Sequence, residues 1–110
     1  MAYDEQLAAR LRDLTLGEPG LTERKMFGGL AFLVNGNMAV AASGKGGLML
    51  RVEPDRTEAL LAEPHAEEFH MRGRGTRGWL RVNDAGIESD ADLERWAEVG
   101  LSYARSLPPK

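Results

Sequence analysis

Leu30-Ala31-Phe32-Leu33-Val34-Asn35-Gly36-Asn37-Met38-Ala39-Val40-Ala41-Ala42 is the stretch that decides the fold. Two apolar runs flank a short polar turn. Asn and Gly tolerate positive φ at low cost, so the turn predicts a tight antiparallel hairpin. The runs are apolar at every position rather than at alternate ones, which predicts strands covered on both faces. Working outward, Lys25-Met26-Phe27 starts an earlier strand, and Gly28-Gly29 breaks or bulges the chain before Leu30. On the other side, Gly44-Lys45-Gly46-Gly47 makes a second turn. Leu48, Leu50 and Val52 then alternate with Met49 and Arg51 in a further strand. Strands joined so tightly form a meander.

Helical periodicity encloses this block. Leu7, Leu11 and Leu14, with Ala8 beside them, predict an amphipathic helix over 4–14, and Asp4 and Glu5 suit its positive end. Residues 15–21, with Gly17, Pro19 and Gly20, read as a loop. Glu53-Pro54 opens a short helix over 55–62, because the fixed φ of proline suits a first turn. Residues 69–72 read as a short strand, 73–78 as a flexible basic loop, and 79–83 as a strand. Ser89-Asp90-Ala91-Asp92 resembles a capping box and opens a helix over 90–106. Its stripe is Leu93, Trp96, Ala97, Leu101, Ala104 and Leu107, and Pro108-Pro109 stops it. The order helix, four strands, helix, two strands, helix predicts a single α+β domain over 1–110. Its antiparallel meander sheet, of about five to six strands, is flanked by three helices.

Composition narrows the chemistry. The chain has no cysteine, which removes disulfides, thiolate nucleophiles and Cys-based zinc sites and fits a reducing, cytoplasmic setting. Its start is polar rather than signal-like, and no apolar run approaches the ~20 residues that span a bilayer, so no membrane association is expected. Charge is unevenly placed within a net −3. Residues 24–52 and 70–81 hold bases and no acid; residues 53–68 and 84–98 each hold six acids against a single arginine. Basic strands and acidic helices can complement one another at the surface, and a basic sheet surface can also hold an anion.

No motif carries a reaction. Gly73-Arg74-Gly75-Thr76-Arg77-Gly78 matches G-x-G-x-x-G but leads into a strand, where a dinucleotide site needs a helix. Ser43-Gly44-Lys45-Gly46-Gly47 lacks the Ser or Thr that must follow the lysine of a phosphate loop. His65, Glu67, Glu68 and His70 could ligate a metal only by unusual loop geometry. Asp90 and Asp92 read as helix-start residues, and no serine sits in a recognisable His-Asp arrangement. Catalytic, cofactor and metal sites are therefore not expected. Arg72, Arg74, Arg77 and Arg81 beside Trp79 could grip phosphates while the indole stacks on a base. Against that, one loop is a small footprint, and these arginines could instead pair with Glu94 or Glu98.

The string Lys25-Met26-Phe27-Gly28-Gly29-Leu30-Ala31-Phe32-Leu33-Val34-Asn35-Gly36-Asn37-Met38, with Leu48-Met49-Leu50-Arg51-Val52, resembles the N-terminal domain of the TfoX/Sxy family. Met71-Arg72-Gly73-Arg74 and Gly78-Trp79-Leu80-Arg81-Val82 are similar to a form seen in stand-alone bacterial members. The resemblance implies a secretion-chaperone-like α+β fold and a co-regulatory role, since named members promote competence gene expression. Those members carry a second, C-terminal helical domain; this chain ends at Lys110 and is expected to stand alone. The family offers no catalytic residues to carry over. The leading expectation is a non-enzymatic interaction domain with an unknown protein partner or a second copy of itself. Its candidate surface comprises Met26, Phe27, Gly28, Gly29, Arg72, Arg74, Arg77, Trp79 and Arg81, and exposure of Trp79 or Met49 would mark it. A nucleic-acid module using the arginine loop is the second expectation. A small enzyme or ligand-binding protein, with a pocket between sheet and last helix, is the third.

Overall fold

The computed structural model describes residues 3–26, 28–44, 46–71 and 74–109, and for 70–71 and 74–77 it describes backbone alone. The hairpin forms around Asn35, whose φ of 53° takes the left-handed conformation that asparagine tolerates. Its strands are β2 (Gly29–Val34) and β3 (Asn37–Ala42), and every residue of both is buried. They lie inside a six-stranded, wholly antiparallel sheet with β1 (Leu21–Met26), β4 (Leu48–Arg51), β5 (Ala66–Met71) and β6 (Arg74–Val82). The strand order is β1-β2-β3-β4-β6-β5, so the last hairpin joins the sheet through β6 and leaves β5 at the edge.

The helices are α1 (Glu5–Leu14), α2 (Thr57–Leu61) and α3 (Asp90–Ser106). The α+β class and the element order expected from the sequence hold. Asp4 caps α1 by accepting from the backbone N–H groups of Gln6 and Leu7, and Ser89 caps α3 by accepting from that of Asp92 at 3.1 Å. All three helices feed one face of the sheet. Leu7 and Leu11 of α1, Leu60 of α2, and Leu93 and Trp96 of α3 pack with strand residues such as Phe32, Val40, Leu50 and Leu80. No helix among the described residues is long and apolar enough to cross a membrane.

The elements depart from the sequence reading in three places. β1 begins at Leu21, inside the expected loop; residues 22–25 are polar and exposed, so no apolar alternation announces them. Segment 73–78, expected to be a flexible basic loop, is strand from Arg74 onward. His70 pairs with Gly75 and Met71 with Arg74, so backbone pairing with β5 sets the conformation where side-chain pattern is silent. The short helix after Glu53 is split into a 3₁₀ turn, Pro54–Arg56, and α2.

α3 sits on a local irregularity. The register shifts within β2 and β3: Phe32 faces Val40 but Leu33 faces Met38, leaving Ala39 as the extra residue of a bulge. Ala39 packs with Val34, Leu101 and Ala104 in a separate cluster under the C-terminal half of α3. Gly100 lies so close that a Cβ there would overlap the Ala39 carbonyl oxygen. Ion pairs tie the same helix outward. Arg105 donates to Glu18 at 2.6 Å and to Glu98 at 2.7 Å, and Arg10 of α1 reaches Asp90 at 3.2 Å.

Two outcomes follow from this docking. Gly100→Ala replaces a poor helix former by the best one, which in open space would stabilise by about 1 kcal/mol. Because the added methyl meets backbone, urea titration should instead show a loss of about 1–3 kcal/mol. The second outcome concerns pH. The hydrogen bond from Arg105 holds the Glu18 carboxyl below its ordinary range. A lowered folded-state value means stability that is present above the unfolded carboxylate value, about 4.3, and lost as pH falls through the folded one. Arg105 is 40% exposed, so water screens the pair and its contribution is about 1 kcal/mol or less. Glu18→Gln should flatten the acid side of the stability–pH profile by that amount and leave the neutral side parallel.

Candidate interaction surface

The sheet face turned away from the helices carries its own apolar cluster. Ala31, Leu33, Met38, Ala41 and Met49 are buried there, and Met26, Phe69 and Trp79 pack at its margins, half-buried. None of these residues belongs to a helix. Two of the candidate stretches named from the sequence therefore share one face. They occupy opposite corners of it: four strand spacings separate β1 from β6, roughly 19 Å on a flat sheet.

At the first corner, Met26 pairs with Gly29 across the β1–β2 turn. Gly28, with φ +75°, supplies the left-handed conformation that closes this turn. Gly29 lets strands approach: a Cβ there would overlap the Ala42 carbonyl oxygen and press on Gly44. Backbone from the same chain thus occupies the room that the glycine pair leaves. Phe27 lies outside the described residues.

At the second corner, Trp79 is packed from two sides. Its ring lies 6.1 Å from that of Phe69, tilted by 40°. Arg51, its partner in the β4–β6 register, places its guanidinium carbon 5.8 Å from the indole centroid and 5.6 Å from the ring of Tyr103 on α3. Both distances fall inside the range of cation–π attraction. Arg51, Phe69, Trp79 and Tyr103 are all half-buried. Sequence reading singled out Trp79 but missed the other three. Pairing of β4 with β6 brings Arg51 to Trp79, and the docking of α3 brings Tyr103; neither contact is local.

The remaining candidates separate. Arg81 is tied inward, donating to the Gly46 carbonyl at 2.6 Å, while its Nε is buried and has no hydrogen-bond partner among the described residues. Arg72 lies outside the described residues; Arg74 and Arg77 belong to β6 by backbone alone. Glu98, a proposed partner for the arginine loop, is engaged by Arg105. Met49, expected to mark an exposed patch, is 3% exposed, and the exposed large hydrophobic among the described residues is Leu16, at 79%. Leu16 stands beside an open groove of about 320 Å³ between α1 and β1, whose walls include the paired Arg12 and Glu23.

Where β6 leaves β4, Thr57 of α2 holds it. The buried hydroxyl donates to the Pro54 carbonyl at 2.8 Å and accepts from the Gly78 N–H at 2.9 Å, while Val52 N–H donates to the Gly78 carbonyl at 2.8 Å. Thr57→Val keeps the shape and strands the Gly78 donor, so it should cost about 1–3 kcal/mol in thermal or urea unfolding, whereas Thr57→Ser should cost less.

Two kinds of comparison return nothing: no curated protein and no solved structure matches this chain. A family model does match, over residues 12–104, and its description is the TfoX N-terminal domain.

Proposed function

Because the chain belongs to the TfoX N-terminal domain family, we propose that it is a non-enzymatic regulatory module of a bacterial cytoplasm that works by binding another protein. The contact centres on the rim formed by Phe69, Trp79, Arg51 and Tyr103. The composition of this rim supports the reading. Trp, Tyr and Arg dominate the residues that carry binding energy at protein interfaces, and here one of each is stacked together at a half-exposed corner. Large, rigid rings offer contact area at little cost in side-chain entropy, and a guanidinium held against them adds direction.

A second copy of the chain is a less suitable occupant of the β1 edge, at the sheet border away from the rim. The outer side of β1 carries Glu23, Arg24 and Lys25, all exposed. Twofold antiparallel pairing of such an edge sets one residue opposite itself. Centring on Glu23 or on Lys25 confronts like charges with no compensating pair beside them.

The reading is tested by affinity capture from a native lysate followed by mass spectrometry, repeated with variants. Trp79→Ala and Phe69→Ala should each reduce recovery of the bound protein at least about tenfold, a hot-spot-sized loss. Leu16→Ala, on the other side of the fold, should leave it unchanged. Equal recovery by all variants would remove the rim from the account. Recovery of nucleic acid alone, lost steeply with salt, would favour the arginine-loop reading instead.

A further inference from the structure

Arg51 stands apart from the other half-buried cations among the described residues. Three cations among the described residues are half-buried: Arg10, Arg51 and Arg81. Arg10 is bonded to Asp90 and to the Glu88 carbonyl, and Arg81 to the Gly46 carbonyl. Arg12, Arg95 and Arg105, which are more exposed, each hold a carboxylate. Arg51 alone of the half-buried three makes neither a hydrogen bond nor an ion pair among the described residues; it has only the faces of Trp79 and Tyr103. Partial burial weakens the hydration of a charge, and two rings near the outer limit of cation–π range return only part of it. Contact with the two rings restricts the side chain, which lowers the entropy lost when its N–H fork is engaged.

We propose that Arg51 receives a side-chain carboxylate from an acidic, extended segment of the partner protein, in a two-pronged Arg–carboxylate contact beside Trp79. The inference rests on the rim being the binding surface and names the chemistry that rim selects. A guanidinium fork matches a carboxylate in shape, and charge-assisted pairs of this kind are the stronger hydrogen bonds. Phe69 and Trp79 offer an apolar surface for the residues next to that carboxylate. A polyanionic nucleic acid fits less well. The chain is net acidic, and Glu53 stands exposed two residues from Arg51. Every additional phosphate would meet that repulsion, whereas a segment bearing isolated carboxylates meets little of it.

The experiment follows the Arg51 Nε–H resonance in an arginine-labelled sample of the full chain. The probes are a short capped peptide alternating glutamate with leucine, the same peptide with glutamine for glutamate, inorganic phosphate, and oligothymidylate. The glutamate peptide should shift the Arg51 signal saturably and the glutamine peptide should not. Arg51→Met should weaken binding of the glutamate peptide at least about tenfold, with Arg51→Lys between. Three results overturn the proposal: no saturable shift with the glutamate peptide, a shift with phosphate or oligothymidylate alone, or undiminished peptide affinity in Arg51→Met. Trp79→Ala separates the two levels of the argument. If it abolishes peptide binding while Arg51→Met does not, the rim stands and the role given to Arg51 falls.

Discussion

Burial of the α3 stripe against the β2–β3 hairpin is the contact on which the rest of the molecule depends. Trp96, Leu93 and Ala97 close the core between helix and sheet, and Leu101 and Ala104 continue the contact over the bulge at Ala39. Fully buried leucine side chains each contribute about 1.5–3 kcal/mol, so this interface outweighs any single ion pair on the surface. It also fixes what is polar around it. Once α3 is seated, Arg105 can reach Glu18 ahead of β1, Arg95 can reach Glu63 after α2, and Asp90 can hold Arg10 of α1. A helix that packs well thereby places its neighbours.

Those surface pairs compensate part of the uneven charge of the sequence. The bases in these pairs stand on α1 and α3 and the acids on β1, on loops and on α3 itself, so they are not the pairing of basic strands with acidic helices that the charge pattern suggested. Arg51 stands apart because its neighbours are rings. The rim around it is thus defined by what it lacks as well as by what it contains. The adjoining Trp79 is held in place from beneath by α2 through Thr57 and the Gly78 backbone.

Much of this fold was legible where side chains obey a period. The Asn35-Gly36 turn, the unbroken apolar runs beside it, and the spacing of Leu93, Trp96, Ala97, Leu101 and Ala104 each name their element without help from the rest of the chain. Legibility failed where backbone pairing decides. β1 is polar at 22–25, and β6 starts within a glycine–arginine stretch that carries no alternation, so both look like loop. The candidate surface was legible only in part for a related reason. Trp79 could be picked out as an aromatic in a basic setting. Its companions Arg51, Phe69 and Tyr103 come from two other strands and a helix, and only strand order and the docking of α3 bring them together. The glycine pair at Gly28 and Gly29 was visible as a close approach, but not that the approaching backbone belongs to β3.

The polar outer strand has a further consequence for how the molecule tolerates crowding. A sheet that ends in an uncovered strand is a template on which other chains can stack into fibres. β1 presents Thr22, Glu23, Arg24 and Lys25 to solvent along that border, a polar and charged row in place of an apolar one. The same four residues that hid the strand from sequence reading are of the charged, gatekeeper kind that disfavours such stacking, which an apolar strand at this border would invite.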